Sequence, residues 1–90
     1  MRTAHYRGDH HLSRLLSILE DAPSVKKIFP TKGQTHKHKK GNGFEFLSSI
    51  HNGATFKLYH DGGSLPVTVS CTDLPSVITH LETRGVFLSH

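Results

Sequence analysis

The stretch Phe-Glu-Phe-Leu-Ser-Ser-Ile-His-Asn-Gly-Ala-Thr-Phe-Lys-Leu-Tyr-His-Asp-Gly-Gly-Ser-Leu-Pro-Val-Thr-Val-Ser-Cys, residues 44–71, decides the fold. Three extended runs, Phe44–Ile50, Thr55–His60 and Leu65–Cys71, are separated by Asn52-Gly53 and by Asp61-Gly62-Gly63-Ser64, residue types that favour turns. They read as a β-meander, and its register follows from the requirement that one face be buried. A two-residue Asn52-Gly53 turn sets Leu47 opposite Leu58 and Phe46 opposite Tyr59, which scatters apolar side chains over both faces. A three-residue loop, His51-Asn52-Gly53 with Gly53 left-handed, sets Phe46 opposite Leu58 and Phe44 opposite His60. This register gathers Phe44, Phe46, Ile50, Phe56 and Leu58 on one side, and a four-residue second loop adds Leu65, Val67 and Val69. The three-residue loop is therefore expected. It leaves Glu45, Ser49, Thr55, Lys57, Tyr59, Thr68 and Ser70 on the wet face, with Leu47 as a misfit at an edge.

Upstream, Leu12, Leu15, Leu16 and Leu19 recur at i, i+3, i+4 and i+7, the stripe of a helix over residues 9–21. Asp9 is its expected N-cap and Pro23 its terminator. A short strand, Val25 to Phe29, follows and stops at Pro30. Downstream, Leu74, Val77, Ile78 and Leu81 repeat the helical stripe over 73–84. Thr72 or Asp73 caps this helix, Pro75 is tolerated in its first turn, and Gly85 suits the position just past its end. Val86 and Phe87 are expected to fold back onto the core. The order is α-β-β-β-β-α, an α+β two-layer sandwich in which a small antiparallel sheet carries both helices on one face.

Ninety residues leave room for a single domain, 1–90, because two cores of half this size would each bury too little apolar surface. The lone cysteine, Cys71, forms no internal disulfide, which suits a reducing compartment. The first residues contain no apolar run of the signal-peptide kind, and no stretch approaches the ~20 apolar residues that span a bilayer. A cytoplasmic location and no membrane partner are expected.

Between Thr31 and Gly43 the chain has three glycines and no large apolar residue, so this segment is expected to be a flexible basic loop or a long mobile hairpin. Lys26, Lys27, Lys32, Lys37, Lys39 and Lys40 fall within fifteen positions, and no acid occurs between Asp21 and Glu45. They account for more than half of the 11 Lys and Arg that, against 7 Asp and Glu, give a net charge of +4. Flexible lysines meet phosphates as point charges, and glycines let a backbone approach a strand closely. Lys57 and Tyr59 on the open face would add a phosphate contact and a stacking surface, and Arg14 would extend the patch from the first helix. The composition therefore points to RNA or another polyanion as partner. An acidic protein surface is the alternative partner, and a loop that merely keeps the chain soluble is the bland one.

Nine histidines suggest a second chemistry. His10 and His11 open the first helix, and His36-Lys37-His38 puts two imidazoles on one side of an extended segment. Together they form a candidate site for zinc or another divalent ion, although none is required for the fold. Neighbouring histidines rarely share one ion, and local lysines repel a cation, so surface histidines making ordinary hydrogen bonds are the simpler reading. No catalytic residue is expected. Cys71 reads as a buried small hydrophobe, while a histidine pair drawn from His36, His38, His51 and His60 is the one arrangement suited to cleaving RNA by acid–base chemistry.

Three segments resemble a prokaryotic family of uncharacterised, predicted metal-binding proteins. His-His-Leu-Ser-Arg-Leu-Leu-Ser-Ile-Leu (10–19) resembles its histidine-led Leu-rich helix. Val-Lys-Lys-Ile-Phe-Pro-Thr-Lys-Gly (25–33) is similar to its strand and turn, and residues 52–69 are similar to its Gly-Gly hairpin. That resemblance implies a metal ligand at His10 or His11 and says nothing of His36 and His38. Residues 56–69 and the helix to Gly85 resemble mRNA-interferase toxins with a double-stranded-RNA-binding-like fold. The catalytic histidine of those toxins falls on Thr55 here, so this resemblance implies RNA binding without cleavage.

Overall fold

The computed structural model describes residues 10–31, 41–60 and 63–88, with His10 and His11 described in backbone alone. These residues form an α+β fold in the order α1 (His10–Glu20), β1 (Val25–Pro30), β2 (Gly43–Ile50), β3 (Gly53–His60), β4 (Gly63–Cys71) and α2 (Leu74–Thr83). The four strands make one antiparallel sheet in the order β1-β4-β3-β2. The expected N-cap Asp9 lies outside the described residues.

The leucine stripe of α1 behaves as its spacing requires: Leu15, Leu16 and Leu19 are buried. In α2 the Asp73 carboxylate accepts from the Ser76 backbone N–H at 3.3 Å and from the Ser76 hydroxyl at 2.7 Å, and Pro75 sits in the first turn. The helix ends at Arg84, and Gly85 follows with φ +73°, a conformation open to glycine at little cost. The His80 ring nitrogen Nε2 donates to the Ile18 carbonyl at 2.8 Å, which ties α2 to the last turn of α1. Both helices cover the sheet face carrying Phe44, Phe56, Leu58, Val67 and Val69, all fully buried. Phe56 is at the centre, edge-on to Phe44 (ring centroids 6.2 Å) and to Phe46 (5.8 Å).

The expected register is corrected at both turns. Phe44 pairs with Leu58 and Phe46 with Phe56, whereas Ile50 pairs with Gly53 around a two-residue turn, His51-Asn52. A β-bulge at Leu47 reconciles the two halves by adding one residue to β2. Asn52, not Gly53, takes the left-handed conformation (φ +61°), which asparagine tolerates better than most residues. Gly53 is required for another reason: a Cβ there would collide with the Val69 carbonyl of the neighbouring strand. The second loop is also two residues, since His60 pairs with Gly63. An error of two residues leaves every side chain on its own face, so the aromatic core survives the correction. The bulge shifts pairing by one, and Ile50, expected in the core, is 44% exposed.

Val86 and Phe87 do fold back. The Phe44 N–H donates to the Val86 carbonyl and the Leu88 N–H to the Phe44 carbonyl, both at 2.7 Å. This short parallel bridge covers the outer edge of β2 where it begins.

Candidate nucleic-acid interface

No described element covers the second face of the sheet. Cross-strand pairing fixes its rows: Lys27, Ser70, Gly53 and Ile50 form one, and Phe29, Thr68, Thr55 and Ser48 the next. A third row brings Pro66, Lys57 and Glu45 together, and the last holds Ser64, Tyr59 and Gly43. Strand alternation explains the split of β1. Ile28 turns toward the helices, while Lys27 and Phe29 turn away and are exposed. Lys26 is the extra residue of a second bulge, between Val25 and Lys27, and is also exposed.

Charge is divided between the layers. Among the described residues the strands carry Lys26, Lys27 and Lys57 against one acid, Glu45. The helices and their flanks carry Glu20, Asp21, Asp73 and Glu82 against Arg14 and Arg84. Arg14 therefore lies in the helical layer, on the far side of the sheet from Lys27.

Two other expected contributors are altered by the register. Glu45 lies directly opposite Lys57 across the strands, which places the acid of β2 beside that lysine. Tyr59 is 7% exposed, and its hydroxyl donates to Glu45 Oε1 at 2.6 Å. Burial, then the hydrogen bond and charge of Glu45, pushes its pKa up to about 12. A ring packed and tethered in this way is not the open stacking surface that alternation alone suggested. Phe29, 52% exposed, is the aromatic that the open face presents. In the sequence Phe29 looks like one apolar residue of a short strand among others. The signal was the parity of Lys27 and Phe29 against Ile28.

Lys32, Lys37, Lys39 and Lys40 lie outside the described residues, as do His36 and His38 and the side chains of His10 and His11. The flanks of the lysine stretch are described. The Thr31 N–H donates to the Pro66 carbonyl at 3.0 Å, and Gly43 packs against Val86 with φ +152°. β1 and β2 occupy opposite edges of the sheet and run antiparallel to each other, so the end of β1 and the start of β2 share one end of the sheet with the β3–β4 turn. Lys27 and Phe29 thus lie on a line that leads along β1 toward the root of the lysine stretch.

The expected zinc ligands fall outside the description, and no group of three His, Cys, Asp or Glu suited to a metal occurs among the described residues. His51 and His60 stand at opposite ends of β3, roughly 25 Å apart at the strand rise, so these two cannot act as one acid–base pair. Cys71 is buried, and burial raises its thiol pKa, as suits a packed side chain and not a nucleophile. No helix among the described residues is long and apolar enough to cross a membrane. The described residues form a small two-layer α+β sandwich in which none of the described elements covers the sheet face that carries Lys27, Lys57 and Glu45. No family model, curated protein or solved structure matches the chain.

Proposed function

We propose that the chain is a small non-enzymatic nucleic-acid-binding module, with RNA as its partner. The observation that supports this most is the division of charge among the described residues: Lys26 and Lys27 exposed on the sheet, and Glu20, Asp21, Asp73 and Glu82 on the helices and their flanks. Such a polarised surface orients the molecule toward a polyanion before contact. Lys26 and Lys27 serve as the fixed part of the interface. Lys32, Lys37, Lys39 and Lys40 supply the remaining phosphate contacts from the segment between the edge strands, and Lys57, opposed by Glu45, adds little. A cytoplasmic setting fits a chain with one buried thiol and no disulfide.

Salt titration tests the proposal. Six lysine–phosphate contacts on a single strand give a slope of log affinity against log salt of roughly −4, at about −0.7 per contact. Affinity for a generic oligonucleotide then falls by roughly two orders of magnitude between 50 and 200 mM salt. Replacing Lys32, Lys37, Lys39 and Lys40 with serine should flatten that slope by about 3. Binding that ignores salt, or none at low salt, would count against the reading.

A further inference from the structure

We infer that Phe29 is a base-stacking platform, and that the partner of the open face is a single-stranded nucleic acid. This inference rests on the nucleic-acid reading above and names the form of the ligand. Phe29 is 52% exposed in a row with Thr68, Thr55 and Ser48, so its ring stands above a floor of small hydroxyl side chains. Among the described residues of this face, an exposed ring above small side chains suits an unpaired base, whose whole π-face is available. Bases stacked inside a duplex present only their edges.

Lys27 lies one pleat away on the same face, roughly 7 Å along β1, within reach of the phosphate next to a base on Phe29. The acid of this face, Glu45, sits on β2 at the opposite edge of the sheet and is hydrogen-bonded to Tyr59. Charge complementarity near the ring therefore selects an anionic partner. The other large exposed apolar residues, Leu47 at 49% and Ile50 at 44%, lie on β2 and are aliphatic, and neither offers a π-face. The strand path runs from Lys27 over Phe29 toward Thr31.

The experiment is fluorescence anisotropy with a labelled twelve-nucleotide RNA, single-stranded and as its duplex, using the full chain, F29A and F29W. F29A should weaken single-strand binding on the order of tenfold, leave duplex binding unchanged, and remain folded, which thermal melting checks. F29W should restore the affinity. The chain has no other tryptophan, so its emission should be quenched when the single strand binds. If F29A binds single strands as wild type does, or F29W emission is unmoved by saturating RNA, stacking is wrong. When that result accompanies a loss of binding in the lysine-to-serine variant, the nucleic-acid reading stands alone. Absence of wild-type binding to either RNA form at low salt overturns both.

Discussion

The two faces of one sheet are built from the same four strands and differ in almost every side-chain property. The helix-covered face holds Phe44, Phe56, Leu58, Val67 and Val69 at zero exposure. The other carries Lys27, Phe29, Thr55, Thr68 and Ser70, with Phe29 more than half exposed. Stability is concentrated on the first, because burial removes apolar area from water at about 25 cal/mol per Å². The second face buries less apolar area and so contributes less to folding, Tyr59 against Glu45 being its main fixed contact.

The largest effect that can break this contrast comes from the centre of the covered face. Phe56→Ala removes the ring against which Phe44 and Phe46 pack edge-on and should cost about 3–5 kcal/mol, read from denaturant unfolding. A cost under about 1 kcal/mol would mean that the core is not centred there. Phe29→Ala, on the opposite face of the same sheet and half exposed, should cost far less, about 1 kcal/mol or under.

Tyr59 sharpens the comparison from the open side, because it lies on that face yet is buried against Glu45. Tyr59→Phe should cost about 1–2 kcal/mol at neutral pH by removing a hydrogen bond to a carboxylate. The sign of its pH dependence follows from the raised pKa. The neutral phenol is the form the fold favours, so its contribution is full below about pH 10 and is lost as pH rises toward about 12. Alkaline titration followed at the tyrosinate absorbance should show a late step near pH 12 that Tyr59→Phe abolishes. Stability of the variant should also decline less than that of wild type between pH 10 and 12.

Which parts of this were legible in the sequence depends on the period of each pattern. The leucines of α1 and the stripe of α2 recur over two or more turns, and their burial followed directly. The aromatic face was legible for a different reason. Alternation depends only on parity, so Phe44, Phe46, Phe56 and Leu58 stay together whether the pairing is offset by two or not. The bulge at Leu47 was hidden because it belongs to the pairing of β2 with β3, and no residue type announces it. At Asn52-Gly53 the familiar reading gave the left-handed conformation to glycine, yet the close approach of Val69 claims that glycine for its missing Cβ. Of the candidate site, the exposure of Lys26 and Lys27 could be read from β1 itself. The placement of Glu45 opposite Lys57 and the burial of Tyr59 needed a register that local pattern did not supply.

The smallest effect tests that register most directly. Ile50 was expected beneath the helices, where replacing it with threonine would forfeit buried apolar area and strand a hydroxyl, at about 2 kcal/mol or more. Beyond the bulge it stands instead on the open face, 44% exposed and opposite Gly53. Ile50→Thr should therefore change stability by less than about 0.5 kcal/mol, because threonine keeps the β-branch that suits a strand and its hydroxyl stays in water. Thermal melting of Ile50→Thr beside Phe56→Ala reads both ends of the scale in one experiment. Equal losses would place Ile50 in the core and remove the bulge, and with it the separation of the two faces along β2.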